Sequence, residues 1–254
     1  GCPVLALSGT EARGYAFMIA GAAGATAAWI AWMRRAAEPP DRRGPAAVPL
    51  AAYAAAMLLG AWAHPVTAVV AAGHALASIA LAMAAAARRG AGGPGVVSAT
   101  HAARATRAAL SGLLPVAIAG VLTLAACAGV VGDMLALRGS LQRAGGGQPG
   151  LAGPEGLHAV LQMGGVWSPW AAPGLVLAAA GTIVLLARAR RGDRDALLLL
   201  LGWGSGAAVA VAIVSLAGTW VYARFLLMLV PGSLVAMAAG LAWLLHRRPL
   251  VGRL

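Results

Sequence analysis

The sequence predicts an all-α membrane protein, a bundle of about seven transmembrane helices with its N-terminus outside and its C-terminus cytoplasmic. Residues 1–254 read as a single transmembrane domain. Three observations carry this. The chain is 61% hydrophobic and only 10% charged, with a mean hydropathy of +0.82, whereas a soluble domain averages about 25% charged residues. Its apolar runs have the length of a bilayer crossing, about 20 residues. Its basic residues, 19 in all and every one an arginine, fall between alternate runs.

Seven runs qualify in order: Gly14 to Met33, Ala46 to Ala63, Val66 to Ala87, Ala108 to Val131, Trp170 to Ala187, Ala196 to Ala217 and Phe225 to Leu245. Many are rich in alanine, which drives insertion less than leucine does, so the weaker spans depend on packing against neighbours. Four arginines lie between the first two runs, four between the third and fourth, four between the fifth and sixth, and three after the seventh. Arg13, Arg138, Arg143 and Arg224 remain for the other side. The arginine-rich side is expected to be cytoplasmic, in the plasma or inner membrane. The net charge of +12 is therefore a topology signal and no nucleic-acid partner is implied.

The cytoplasmic connections look like simple linkers. Glu38 to Asp41 reads as a turn, and Gly90 to Gly95 as a hinge before a short helix over Val97 to Arg107 lying on the inner leaflet. The outer side is different. It holds one tight turn at His64-Pro65, a long extracytoplasmic loop over residues 133–169, and a brief link from Gly218 to Arg224. The long loop carries glycine clusters and a short helix opened by Pro154, with Trp167 and Trp170 marking its return to the membrane.

Cys2 and Cys127 are too far apart in sequence to define a disulfide framework or a metal site. No phosphate loop, nucleophile elbow or zinc signature is present, so neither a metal nor a cofactor is expected. Glu155 and His158 could share a ligand, although an acid at a helix end explains Glu155 as simply. Four outer positions could carry chemistry. Glu11 and Arg13 stand at the mouth of the first run, where arginine either snorkels to lipid headgroups or grips a phosphate. His64 either caps a turn or hydrogen-bonds a phosphate or sugar hydroxyl. Arg224, in Trp220-Val-Tyr222-Ala-Arg224-Phe225, faces the same choice as Arg13. His74, deep in the third run, is either a neutral histidine bonded to a neighbouring helix or a functional group.

The box Glu11-Ala12-Arg13-Gly14-Tyr15 opening a span, the later span pair ending at His64-Pro65, and the run Arg224-Phe225-Leu226-Leu227 through Pro231 together resemble the polytopic GT-C glycosyltransferases. The likeness is to family 39 and the RgtA/B/C/D-like group, related to the protein mannosyltransferases. That resemblance implies an enzyme that moves a sugar from a polyprenyl-phosphate donor to an acceptor lipid, glycan or protein at the outer face. It implies a substrate site built from Glu11, Arg13, Tyr15, His64, Tyr222 and Arg224. The family's catalytic base is an acid in the first outer loop, upstream of the box, so no catalytic residue is identified in this chain and the base is expected before Gly1. A permease or a non-catalytic membrane subunit, with His74 and Arg224 along a path, is the alternative.

Overall fold

A computed structural model describes residues 15–64, 67–91, 96–126, 128, 172–217 and 230–247. These residues are helical with short turns, and no strand occurs among them. The helices are α1 (Tyr15–Ala37), α2 (Ala47–Ala63), α3 (Ala68–Ala91), α4 (Val96–Ser111), α5 (113–126), α6 (Ala172–Arg190), α7 (Arg194–Ala217) and α8 (Val230–Arg247). Each expected span thus has a helix within its bounds or overlapping them. Four segments are long and apolar enough to cross a membrane: Tyr15–Ala37, Ala68–Ala87, Ala103–Ala126 and Ala172–Arg190. Two further apolar helices, Ala47–Ala63 and Val230–His246, are shorter.

Local chemistry sets the boundaries. Pro49, Pro173 and Pro231 each sit in the first turn of their helix, where the missing N–H would have had no intrahelical partner. The Glu38 to Asp41 turn is closed by a 3₁₀ turn over Pro40–Arg42. α6 ends in a Schellman arrangement: Gly192 takes a φ of +92°, its N–H bonds Ala189 O at 3.0 Å and the Asp193 N–H bonds Arg188 O at 3.0 Å. Asp193 then caps α7, its Oδ1 accepting from Asp195 N–H at 3.0 Å and Ala196 N–H at 3.1 Å. The Ala196 N–H, followed by the Arg188 guanidinium, holds the Asp193 carboxyl below its ordinary pKa.

The expected short helix over Val97 to Arg107 is present but is not a separate piece. It belongs to α4, which passes through a single turn at Gly112 into α5. The reason lies at Pro115. Lacking an N–H, it cannot bond the Ser111 carbonyl one turn back, and that carbonyl instead accepts from Trp32 Nε1 at 2.8 Å. A bond from α1 thus fills the gap that the proline leaves.

The principal pairs are α1 with α2, α3 with α7, α3 with α4, and α6 with α8. Small residues make the contacts. A Cβ on Gly21 would stand 2.7 Å from Ala56 O, and one on Gly73 would stand 2.5 Å from Gly206 N. At the α6–α8 crossing a Cβ on Gly181 would overlap Ala236 O. Alanines such as Ala22, Ala25, Ala28, Ala77 and Ala119 are buried beside a few large side chains (Trp29, Tyr53, Met18, Met33, Met57), while Phe17, Trp62, Met83, Val121, Val176 and Ile183 are exposed. Small residues at the helix crossings and apolar side chains on the outer surface are the arrangement expected where hydrocarbon is the solvent.

Contacts also define two ends. Arg34 pairs with Asp195 at 2.6 Å and Arg194 donates to Met33 O at 3.2 Å, which brings the C-terminus of α1 to the α6–α7 turn. The start of α1, a helix of 23 residues, lies about 33 Å away along the axis. Tyr15 meets His64 there.

Candidate functional site

Of the six residues implicated by resemblance, the structure describes two and brings them together. Tyr15, the first residue of α1, and His64, the C-cap of α2, stack with ring centroids 6.2 Å apart and planes 29° from parallel. His64 is held by its backbone: its N–H bonds Gly60 O at 2.8 Å and its carbonyl accepts from Thr67 N–H at 3.0 Å. Thr67 is buried, its Oγ1 donates to Gly60 O at 2.9 Å, and its methyl fills the space over Gly60. The turn is thereby locked from both sides, and the imidazole, half-buried, projects beside the α1 mouth. Glu11, Arg13, Tyr222 and Arg224 lie outside the described residues, as do the loop over 133–169, with its Glu155 and His158, and both cysteines.

A second polar centre sits in the middle of the bundle, where α1, α2, α3 and α7 meet. His74 is fully buried between Thr26, Trp29 and Tyr53, themselves buried. Its ring stacks on Trp29 at 4.9 Å and 8° and is tilted against Tyr53 at 5.6 Å. Gly202 of α7 leaves room for the ring, a Cβ there standing 3.6 Å from His74 Cδ2.

For a neutral ring, the hydrogen bonds of this centre fix the tautomer by donor counting. The single Thr26 hydroxyl proton goes to Ala22 O at 2.9 Å, a back-bond usual for threonine in an apolar helix. Facing His74 Nε2 at 3.2 Å, Thr26 Oγ1 can then only accept, so Nε2 carries the ring proton. In the neutral ring Nδ1 is then an acceptor, and the Tyr53 hydroxyl donates to it at 3.0 Å. The result is a relay from Tyr53 through His74 and Thr26 to Ala22 O with every ring nitrogen satisfied. The ring is bonded to hydroxyls of two neighbouring helices, the kind of partner that one of the two sequence readings expected. Among the described residues the His74 ring is fully enclosed and lines no open cavity. Trp29 Nε1 is buried and finds no acceptor among the described residues.

Thr26 and Tyr53 were not singled out from sequence. Their signal is a hydroxyl in the middle of an apolar run, each at the level of a buried histidine. No group of three or more potential metal ligands occurs among the described residues.

Compared with protein families, curated proteins and solved structures, the chain matches none.

Proposed function

We propose that this chain is a multi-pass membrane glycosyltransferase, with the Tyr15 end outside and the arginine end in the cytoplasm. It takes a sugar from a polyprenyl-phosphate donor and passes it to an acceptor lipid, glycan or protein. The observation that carries this reading is the Tyr15–His64 pair. Two residues 49 positions apart in sequence, each drawn from a different segment of the resemblance, meet at one helix mouth. Arg13 stands two residues before Tyr15 in the sequence. In this reading Arg13 and Arg224 grip the carrier phosphate, guanidinium forks being matched to phosphate oxygens. The His64 imidazole and the Tyr15 hydroxyl bond the sugar, Glu11 and Tyr222 complete the wall, and the loop over 133–169 shapes the acceptor side. In this class of reaction the base that activates the acceptor hydroxyl is a carboxylate.

Transfer from a radiolabelled polyprenyl-phosphate sugar, measured in membranes holding the full-length protein, tests it. Arg224→Ala is expected to lower turnover by about 10- to 100-fold, the loss typical of a charge-assisted bond. His64→Ala is expected to lower it by about 10-fold. Unchanged transfer in Arg224→Ala, with the protein present at normal abundance, would remove the phosphate role.

A further inference from the structure

At the arginine end, about 30 Å from the Tyr15–His64 pair, the ends of α1 and α3, the middle of α4 and the α6–α7 turn enclose a cavity of about 710 Å³. Its walls are apolar, formed by residues such as Met33, Leu81, Ala108 and Leu198, and its polar lining is Arg104, Arg194 and Asp193. The charges there do not balance. Asp193 is engaged by Arg188 at 2.6 Å and by the α7 backbone, and Asp195 by Arg34 at 2.6 Å. Both carboxylates of the turn are thus taken by arginines that do not line the cavity. Arg194 has only the neutral Met33 carbonyl at 3.2 Å, and Arg104 makes no hydrogen bond or ion pair among the described residues. Partial burial lowers the pKa of Arg194, against the opposing charge of Asp195, whose carboxylate is already bonded to Arg34.

We infer that this cavity binds an anionic phospholipid from the leaflet on the arginine-rich side, its phosphate between Arg104 and Arg194 and an acyl chain along the alanine and leucine wall. A guanidinium with unused donors calls for phosphate or carboxylate oxygens. An alanine- and leucine-lined wall continuing from those donors calls for an apolar body on the same molecule. Basic pockets between helices at the cytoplasmic side take acidic lipid headgroups for these reasons. The inference needs only that the helices lie in a bilayer, and it is independent of sugar transfer.

Native mass spectrometry of the detergent-solubilised full-length protein, titrated with phosphatidylglycerol or with phosphatidylcholine, tests it. The wild type should bind phosphatidylglycerol the more tightly. Arg104→Ala and Arg194→Ala should each weaken that binding about fivefold, the contribution of one arginine near an anionic surface. The pair Arg190→Ala/Arg191→Ala, exposed and outside the cavity, should leave it unchanged. Arg194 also bonds α1, so Arg104→Ala, which breaks no bond, decides the matter if Arg194→Ala does not fold. Equal binding of the two lipids, an equal loss in the Arg190/Arg191 pair, or full displacement of the lipid by millimolar inorganic phosphate would each overturn the site.

Discussion

The Tyr53, His74 and Thr26 side chains form a chain in which each donor has one acceptor, and its value lies in leaving none of these three side chains unsatisfied. Tyr53→Phe keeps the ring but removes the donor to His74 Nδ1 at the end of the 3.0 Å bond. The orphaned nitrogen should lower stability by about 1–3 kcal/mol, read as a fall in thermal midpoint of the solubilised protein. A midpoint equal to wild type would mean that water or another group replaces the hydroxyl. His74 stood out in the sequence because an ionisable group deep in an apolar run is costly. Its partners did not, since a threonine and a tyrosine in such a run look like ordinary packing. Helices apolar on every face carry no periodic stripe, so the sequence held no phase information from which to turn Thr26 and Tyr53 toward His74. For Tyr15 and His64 the position at the ends of two adjacent runs was enough, because a short turn leaves few places for the second to go.

Among the helices, existence was legible and contact was not. Long apolar runs bounded by arginine, proline and glycine identify α1, α2, α3, α6 and α7 within a few residues. The junction of α4 with α5 was misjudged because glycines before Val96 suggested an independent helix, while the bond from Trp32 that steadies the Pro115 region spans 79 residues. The glycine crossings were equally hidden: Gly181 and Gly120 look alike in sequence. In the structure a Cβ at Gly181 collides with the α8 backbone, whereas nothing lies within 4 Å of one at Gly120. Gly181→Ala should therefore separate α6 from α8 and lower the thermal midpoint. Gly120→Ala should be neutral or raise stability by about 0.5–1 kcal/mol, the helix preference of alanine over glycine. A drop of equal size in both would mean that the α6–α8 contact is not close-packed.

For the molecule as a whole, orientation is the quantity on which the transferase reading depends. In a background with Cys2 and Cys127 replaced, Gly150→Cys in the long loop should react with a membrane-impermeant maleimide in intact cells. Gly44→Cys, in open space between α1 and α2, should react only after permeabilisation. The reverse pattern would invert the protein and exchange the faces assigned to the two sites. The arginine distribution made the two ends readable because charge asymmetry survives any error in span boundaries. The Arg34–Asp195 pair adds a consequence in time. Its partners are 161 residues apart, roughly 8 to 32 s of synthesis at the usual elongation rate. The hydroxyl–imidazole relay draws only on α1, α2 and α3, all made before that interval ends. The first three helices can therefore join in the bilayer while translation continues, and α7 arrives later, laying Gly202 over a finished histidine centre and latching the turn that follows α6 onto the first helix.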